Sequence, residues 1–254
     1  MRVRTTGFAA LAAVAALLIG AAPAPAAPGD ASAYGAEVGL SLLGDDAIAA
    51  GPFAAANAHG STGTAFAGVD LPDLLTTGVV DTSASRDDDT GGVRSRASTS
   101  DVRLDLLSSV TGGITATAVE AGCTATREGV GGTTELVGLD PGRLGDVAAE
   151  PAPNTAVGVE LLGADIARIV FNEQVVNPDG GLTVNAVRVT LVGGVLGSIG
   201  TGDVVLSSAT CGPARPPIAP AAGAGLWLGS VMIALFAVPA AVVALHLRRA
   251  NPAV

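Results

Sequence analysis

Hydrophobic and polar residues alternate with a period of two through most of the chain between residues 27 and 210. The alternation is clearest at residues 114–119 and 182–191, where hydroxyl or other polar side chains alternate with apolar ones. Successive side chains of a strand point to opposite faces, so this pattern predicts strands with one buried face. The predicted strands span residues 34–42, 65–69, 78–85, 93–100, 114–119, 156–162, 166–175, 182–191 and 203–211.

Turn signals and one phase change refine this picture. The sequence NPDGG at residues 177–181 predicts a hairpin between the strands that flank it. Within the second of those strands the alternation slips between Ala186 and Val187, which predicts a β-bulge. Only residues 45–54 and 139–149 have patterns typical of short helices. Many short strands with Gly-rich turns and no βαβ rhythm predict an all-β fold, an antiparallel β-sandwich or a related architecture.

The N-terminus has the three parts of a secretion signal. Arg2 and Arg4 precede an unbroken apolar run at residues 8–19, and Ala24-Pro25-Ala26 forms an A-x-A cleavage site. The apolar run is about 12 residues long, whereas a membrane-spanning helix needs about 20. We therefore expect cleavage after Ala26 rather than an uncleaved anchor.

A second apolar segment, residues 225–247, predicts a transmembrane helix. It is free of charged residues and about 34 Å long at 1.5 Å per residue, which is enough to cross a bilayer. Trp227 suits the outer headgroup region, and Pro239 is tolerated inside a membrane helix. Arg248 and Arg249 follow at once and favour retention on the cytoplasmic side. We expect a single-pass protein of the plasma membrane with its N-terminal domain outside the cell.

These signals predict five segments. They are a signal peptide (1–26), an extracellular β-rich domain (27–211), a Pro- and Ala-rich stalk (212–224), the transmembrane helix (225–247) and a short cytoplasmic tail (248–254). A cell-wall sorting signal has a similar tail, but it requires Leu-Pro-x-Thr-Gly, and residues 217–220 read PIAP instead. Retention as a membrane helix is therefore favoured over covalent attachment to the wall.

Composition excludes one class of partner. The chain has 13 basic residues, all of them Arg, against 23 acidic residues, for a net charge of −10. Nucleic-acid binding needs clustered basic side chains, so no nucleic-acid partner is expected. Aromatic residues make up only 3% of the chain, which leaves few stacking platforms for bases or sugar rings.

The cysteines agree with an exported domain. Cys123 and Cys211 are the only two in the chain, and both lie in the part expected outside the cell. A disulfide between them would close a loop of about 88 residues. Two buried free thiols are the alternative.

Candidate chemistry is sparse, and no enzyme activity or cofactor is expected. His59 lies in an apparent loop, without a serine nucleophile motif elsewhere in the sequence. The acidic run Asp87, Asp88 and Asp89 is the best candidate for a Ca²⁺ site, although it lacks the spacing of a calcium-binding loop. A solvated turn is the simpler interpretation. Glu173 is a candidate for one of the two carboxylates that glycoside hydrolysis requires. The alternative is that its polar segment forms local hydrogen bonds to the backbone or across strands.

Five motifs follow one another through the exported part of the chain: AYG at 33–35, ITATAVEAGCTAT at 114–126, NEQ at 172–174, VNAV at 184–187 and SSATCG at 207–212. Their order resembles the choice-of-anchor P family of actinobacterial surface proteins, and the resemblance covers about residues 33–212. It implies an exported domain joined to a C-terminal anchor, and it implies no activity. The chain departs from the pattern at Arg188, where the family resemblance leads us to expect His.

The sequence therefore predicts a membrane-anchored cell-surface β module with a structural or adhesive role, in contact with the membrane and with cell-wall or surface components. A Ca²⁺- or carbohydrate-binding module is the alternative, and an extracellular glycoside hydrolase is a third hypothesis.

Overall fold

A computed structural model describes residues 27–42, 47–192 and 200–215. These residues form fourteen strands, the single-turn helix α1 (Ser108–Thr111) and one 3₁₀ turn (Gly142–Leu144). None of the helices described is long and apolar enough to cross a bilayer. The strands are β1 (Ala31–Leu42), β2 (Ala47–Phe53), β3 (Ala56–Asn57), β4 (Gly63–Phe66), β5 (Asp70–Leu71), β6 (Leu75–Thr76), β7 (Val80–Arg86), β8 (Val93–Leu104), β9 (Ile114–Thr126), β10 (Gly129–Val137), β11 (Thr155–Leu161), β12 (Ala164–Val176), β13 (Leu182–Leu191) and β14 (Gly200–Cys211).

The strands form two antiparallel sheets packed against each other. Sheet A has the order β11-β12-β13-β14-β1-β2, with β3 paired to β1. Sheet B has the order β10-β9-β8-β6-β5, with β7 paired to β8 and β4 paired to β7. Apolar side chains from both sheets, among them Phe171, Val189 and Leu206 from sheet A and Val119 and Leu136 from sheet B, form one core. The all-β, sandwich-like prediction is confirmed.

The hairpin predicted from NPDGG is also confirmed. β12 and β13 pair up to Val176 and Leu182, and the turn between them closes with a hydrogen bond from Asn177 N to Gly181 O of 2.8 Å. A left-handed backbone at Gly180, with φ of 85°, explains why the turn needs glycine there.

Both helix predictions are wrong. Within 45–54, residues 47–53 form β2, which pairs with β1 at the edge of sheet A; residues 45 and 46 lie outside the described residues. Within 139–149 only one 3₁₀ turn forms, because Gly142 and Gly145, which begin and follow it, have positive φ. Strand β10 was missed because the sequence GVGGTTELV is rich in glycine, which is rare in strands.

The predicted β-bulge at Ala186 and Val187 is wrong, although the side-chain phase does change there. The register of β13 with both β12 and β14 continues without an inserted residue. In four neighbouring strands, β12, β13, β14 and β1, the alternation of inward and outward side chains shifts by one residue at the same height of the sheet. Two consecutive residues of each of these strands therefore face the core. These residues form two adjacent rows across the sheet, Ala36, Leu206, Val187 and Phe171 in one and Gly35, Ser207, Ala186 and Asn172 in the other. Asn172 and Ser207 absorb the change with φ of 52° each.

The two termini of the domain meet at one end of the sandwich. Gly29 N donates to Pro213 O at 2.8 Å, and Gly212 N donates to Asp30 O at 2.9 Å. Arg215 N donates to Gly91 O at 3.0 Å, next to the turn between β7 and β8. Residues 212–215, assigned from sequence to the stalk, therefore belong to the folded domain. We call this end the exit end and the opposite one the distal end.

Candidate functional site

The outer face of sheet A carries a polar cluster that spans four adjacent strands. The pairing of the strands places the side chains of the cluster next to one another in rows across the sheet. Because the alternation shifts by one residue in these strands, two successive outer-face rows are three residues apart instead of two. The outer-face cluster consists of Tyr34 and Glu37 on β1, Asp203 and Ser208 on β14, Asn185, Arg188 and Thr190 on β13, and Glu173 on β12.

Arg188 is at the centre of this cluster. Its Nε donates to Asp203 Oδ1 at 3.1 Å, and its NH1 lies 3.3 Å from Glu173 Oε2. Asn185 Nδ2 donates to the same Glu173 oxygen at 2.7 Å. A guanidinium presents several donors in a fixed plane, so one Arg188 binds carboxylates on both neighbouring strands. The network joins β12, β13 and β14 across the outer face.

The protonation states in the cluster follow from these contacts. Burial disfavours the charged form of Asp203, but hydrogen bonds from Arg188 and Thr190 outweigh it and hold the pKa of Asp203 below its usual value. The hydrogen bond to Asp203 raises the pKa of Arg188. The Arg188–Asp203 pair is therefore charged at neutral pH.

Two polar atoms of the cluster are buried and have no hydrogen-bond partner among the residues that the structure describes. They are Asn185 Oδ1 and the Ser208 hydroxyl, whose residues are 5% and 1% exposed. The half-buried Tyr34 lies beside Ser208, without a hydrogen bond of ordinary geometry between them. Burial raises the pKa of Tyr34 to about 12, and the Glu37 carboxylate acts in the same direction. The phenol is therefore protonated at neutral pH.

The cluster has the properties of a structural network rather than of an acid–base pair. A glycoside hydrolase needs one carboxyl group that keeps its proton near neutral pH. Asp203 has a lowered pKa, and Glu173 accepts hydrogen bonds from Arg188 and Asn185. In the described ranges, no observation gives Glu173 an acid partner.

The two residues that flank Glu173 point to the other side of the sheet. Asn172 Oδ1 accepts hydrogen bonds from Thr134 and Gln174, and its Nδ2 donates to Pro151 O at 2.7 Å. Gln174 also donates to Gly132 O on β10. These bonds tie β12 of sheet A to β10 of sheet B, which supports the local hydrogen-bonding role predicted for this polar triplet.

The acidic run forms a hydrogen-bonded turn at the exit end. Asp87 Oδ1 accepts from Asp89 N at 2.9 Å and from Thr90 N at 3.2 Å. A hydrogen bond from the Thr90 side chain, together with these two backbone bonds, lowers the pKa of Asp87. Asp88 forms an ion pair with Arg86. The carboxylates of Asp87 and Asp88 thus bind different partners. Across residues 27–42, 47–192 and 200–215, no group of three or more His, Cys, Asp or Glu side chains is arranged to hold a metal ion.

The remaining candidates are placed as follows. His59 lies in an exposed loop, where its Nε2 contacts Asp30 Oδ1. An apolar cavity of about 320 Å³ lies at the distal end, lined chiefly by leucine and isoleucine, with Asp73 and Ser109 as its polar lining residues. The predicted anchor residues Trp227, Pro239, Arg248 and Arg249 lie outside the described residues, as does the signal peptide.

The predicted disulfide is present and joins the two sheets. Cys211 is the last residue of β14 and Cys123 lies in β9, with their Cα atoms 5.7 Å apart. Both cysteines are buried. Buried hydrogen bonds continue the contact between the sheets, from Ser95 Oγ to Thr210 O at 2.9 Å and from Ser207 Oγ to Val119 O at 2.8 Å.

Sequence reasoning missed the network around Arg188 and the place of Tyr34 in it. The signal available was the position of Arg188 on the polar face of a strand, three residues after Asn185, but its partners depend on the pairing of β12 and β14 with β13. The pairing of the strands brings together the motifs AYG, NEQ, VNAV and SSATCG in the part of sheet A that carries this network.

No family model matches the chain, and no curated protein or solved structure is significantly similar to it.

Proposed function

We propose that the chain is a non-enzymatic cell-surface module that is exported, held in the plasma membrane by residues 225–247, and structural or adhesive in role. The observation that carries this proposal is the position of the disulfide. It joins the two sheets at the exit end, where β14 ends at Cys211. Disulfides persist in oxidising, extracytoplasmic surroundings, which agrees with the secretion signal.

The sequence resemblance to choice-of-anchor P surface proteins supports the same proposal. Its motifs extend from residue 33 to residue 212 and thus across the whole sandwich, and the resemblance implies a separate anchor beyond it. An acidic domain without Lys also fits an exposed position in which solubility matters and nucleic acid is not a partner.

Thiol labelling on intact cells tests the proposal. A membrane-impermeant maleimide is added with and without reductant, and the mass of the purified protein is measured. We expect a chain that begins at Ala27, is recovered in the membrane fraction, and is labelled at Cys123 and Cys211 only after reduction and denaturation. A chain that keeps residues 1–26 and that the maleimide reaches only after cell lysis would contradict export, and recovery in the medium would contradict the anchor.

A further inference from the structure

We propose that the outer-face cluster holds an ordered water molecule between Asn185 Oδ1 and the Ser208 hydroxyl, and that this water joins Tyr34 to the network around Arg188. The inference goes beyond the proposed function, because it concerns the folded domain alone and holds with or without a membrane anchor. It rests on two buried polar atoms and on the strand pairing that places them side by side.

The two atoms belong to directly paired residues. Asn185 on β13 is opposite Ser208 on β14, and the two residues are 5% and 1% exposed. Buried polar side-chain atoms almost always have a hydrogen-bond partner, either in the protein or in an ordered water. Within residues 27–42, 47–192 and 200–215, neither Asn185 Oδ1 nor the Ser208 hydroxyl has a protein partner. We therefore expect their partner to be a small polar molecule held inside the cluster.

The neighbouring row of the same two strands shows what a direct contact looks like. Thr183 on β13 is opposite Thr210 on β14, and their hydroxyls are hydrogen-bonded at 3.0 Å. Asn185 and Ser208 have the same backbone pairing but no such bond. The Cβ atoms of directly opposite residues are about 4.5–5.5 Å apart. One oxygen that makes two hydrogen bonds of about 2.8 Å spans a gap of this size.

Glu173 fixes the orientation of the Asn185 amide. Asn185 Nδ2 donates to Glu173 Oε2 at 2.7 Å. A flipped amide would set its oxygen against a carboxylate oxygen, and two acceptors do not bond. The unpartnered atom of Asn185 is therefore the oxygen, which can only accept, and the molecule that binds it has to donate.

Water meets these requirements better than a cation does. It donates to Asn185 Oδ1, and it can donate to or accept from the Ser208 hydroxyl. A buried water usually makes about three hydrogen bonds, and the phenol of Tyr34, opposite Ser208 on β1, supplies the third polar group. A cation would be repelled by the Arg188 guanidinium, which contacts Glu173 beside Asn185.

The water would extend the outer-face network to a fourth strand. Direct hydrogen bonds of Arg188 connect β12, β13 and β14 through Glu173 and Asp203. After burial, the Ser208 side chain has the largest effect on the pKa of Tyr34, which indicates that the two hydroxyls lie close together. A water bound to both Ser208 and Asn185 therefore links Tyr34 on β1 to the network on the three other strands.

A crystal structure of the full chain that resolves ordered waters tests the inference. We expect one solvent oxygen at about 2.7–3.2 Å from both Asn185 Oδ1 and Ser208 Oγ. Ser95 is the matched control, because it is also 1% exposed but its hydroxyl already donates to Thr210 O, so no solvent oxygen is expected beside it. A direct bond between Asn185 and Ser208, or from either residue to Tyr34, with no solvent oxygen between them would overturn the inference.

Thermal unfolding distinguishes water from a bound cation. The full chain is melted in sodium chloride, potassium chloride and choline chloride at equal ionic strength, and a bound water predicts the same melting temperature in all three salts. A melting temperature that depends on the cation in the native chain, and no longer depends on it in Ser208→Ala, would assign the site to a cation and contradict the inference. If Ser208→Ala does not fold, the crystal structure of the native chain decides alone.

Discussion

Arg188 on β13 donates a hydrogen bond of 3.1 Å from its Nε to Asp203 on β14, and both side chains are only partly exposed. The same guanidinium reaches Glu173 on the other neighbouring strand. One side chain thus pairs with carboxylates on both neighbouring strands. Without this guanidinium, both carboxylates would lose the cation that they share.

Replacing Arg188 by Ala should destabilise the domain by about 1–2 kcal/mol. Hydrogen bonds to charged groups contribute about 1.5–3 kcal/mol, and partial solvent exposure reduces that value. Urea unfolding at neutral pH measures the change. Arg103→Ala is the control, because Arg103 pairs with Asp105 at an exposed position and should cost less than about 0.5 kcal/mol. Equal losses in the two variants would contradict a special role for Arg188.

Tyr34 is the only tyrosine in the chain, so phenolate absorbance reports this residue alone. We expect the folded protein to titrate near a pKa of 12, and the protein in denaturant to titrate near about 10. Folding favours the protonated phenol. Its contribution to stability is therefore complete below about pH 10 and is lost as the pH rises toward 12. A folded-state midpoint equal to that in denaturant would show that the phenol is solvated.

Gly35→Ala should destabilise the domain by about 1–3 kcal/mol through overpacking. A Cβ at Gly35 would lie 1.8 Å from Val80 Cγ1 on the opposite sheet. Gly39 is on the same strand, and a Cβ there would have no heavy atom within 4 Å. Gly39→Ala should therefore leave stability unchanged or slightly higher. Thermal unfolding measures the stability of both variants. A comparable loss of stability at both positions would mean that β1 tolerates no added side chain, whether or not that side chain meets Val80.

Removing the disulfide through Cys123→Ala and Cys211→Ala should lower the free energy of unfolding by about 4–5 kcal/mol. The bond closes a loop of 88 positions, and a loop of this size restricts the unfolded chain strongly. Urea unfolding with and without reductant checks the value, since the reduced native chain should match the variant. Reduction that exposes two thiols without moving the midpoint would contradict a stabilising bond.

Calcium should leave the melting temperature unchanged. Asp87 bonds to backbone N–H groups of its own turn, and Asp88 pairs with Arg86, so the run does not converge on one point. A ligand that binds only the folded state raises its stability. Melting in CaCl₂ is compared with melting in MgCl₂ at equal ionic strength. A rise specific to calcium that disappears in Asp87→Asn would favour the calcium-binding alternative.

The sequence by itself determined the strands that alternate cleanly and the hairpin at residues 177–181, because side-chain period and turn chemistry are local properties. It also limited disulfide pairing to one possibility, Cys123 with Cys211. Strands β2 and β10 could not be predicted, because an edge strand rich in Ala or Gly becomes a strand only when a neighbour supplies its hydrogen bonds.

Tertiary structure alone decided the remaining features. The shift in alternation at Ala186 predicted a bulge, because the sequence of one strand does not show whether the neighbouring strands shift with it. In the structure three other strands shift at the same height. Arg188 meets Glu173 and Asp203 only because the register of three strands aligns them. The meeting of Gly29 with Pro213 likewise depends on β1 and β14 being paired from end to end. Each of these contacts joins residues distant in sequence, and no local pattern of residues encodes such a distance.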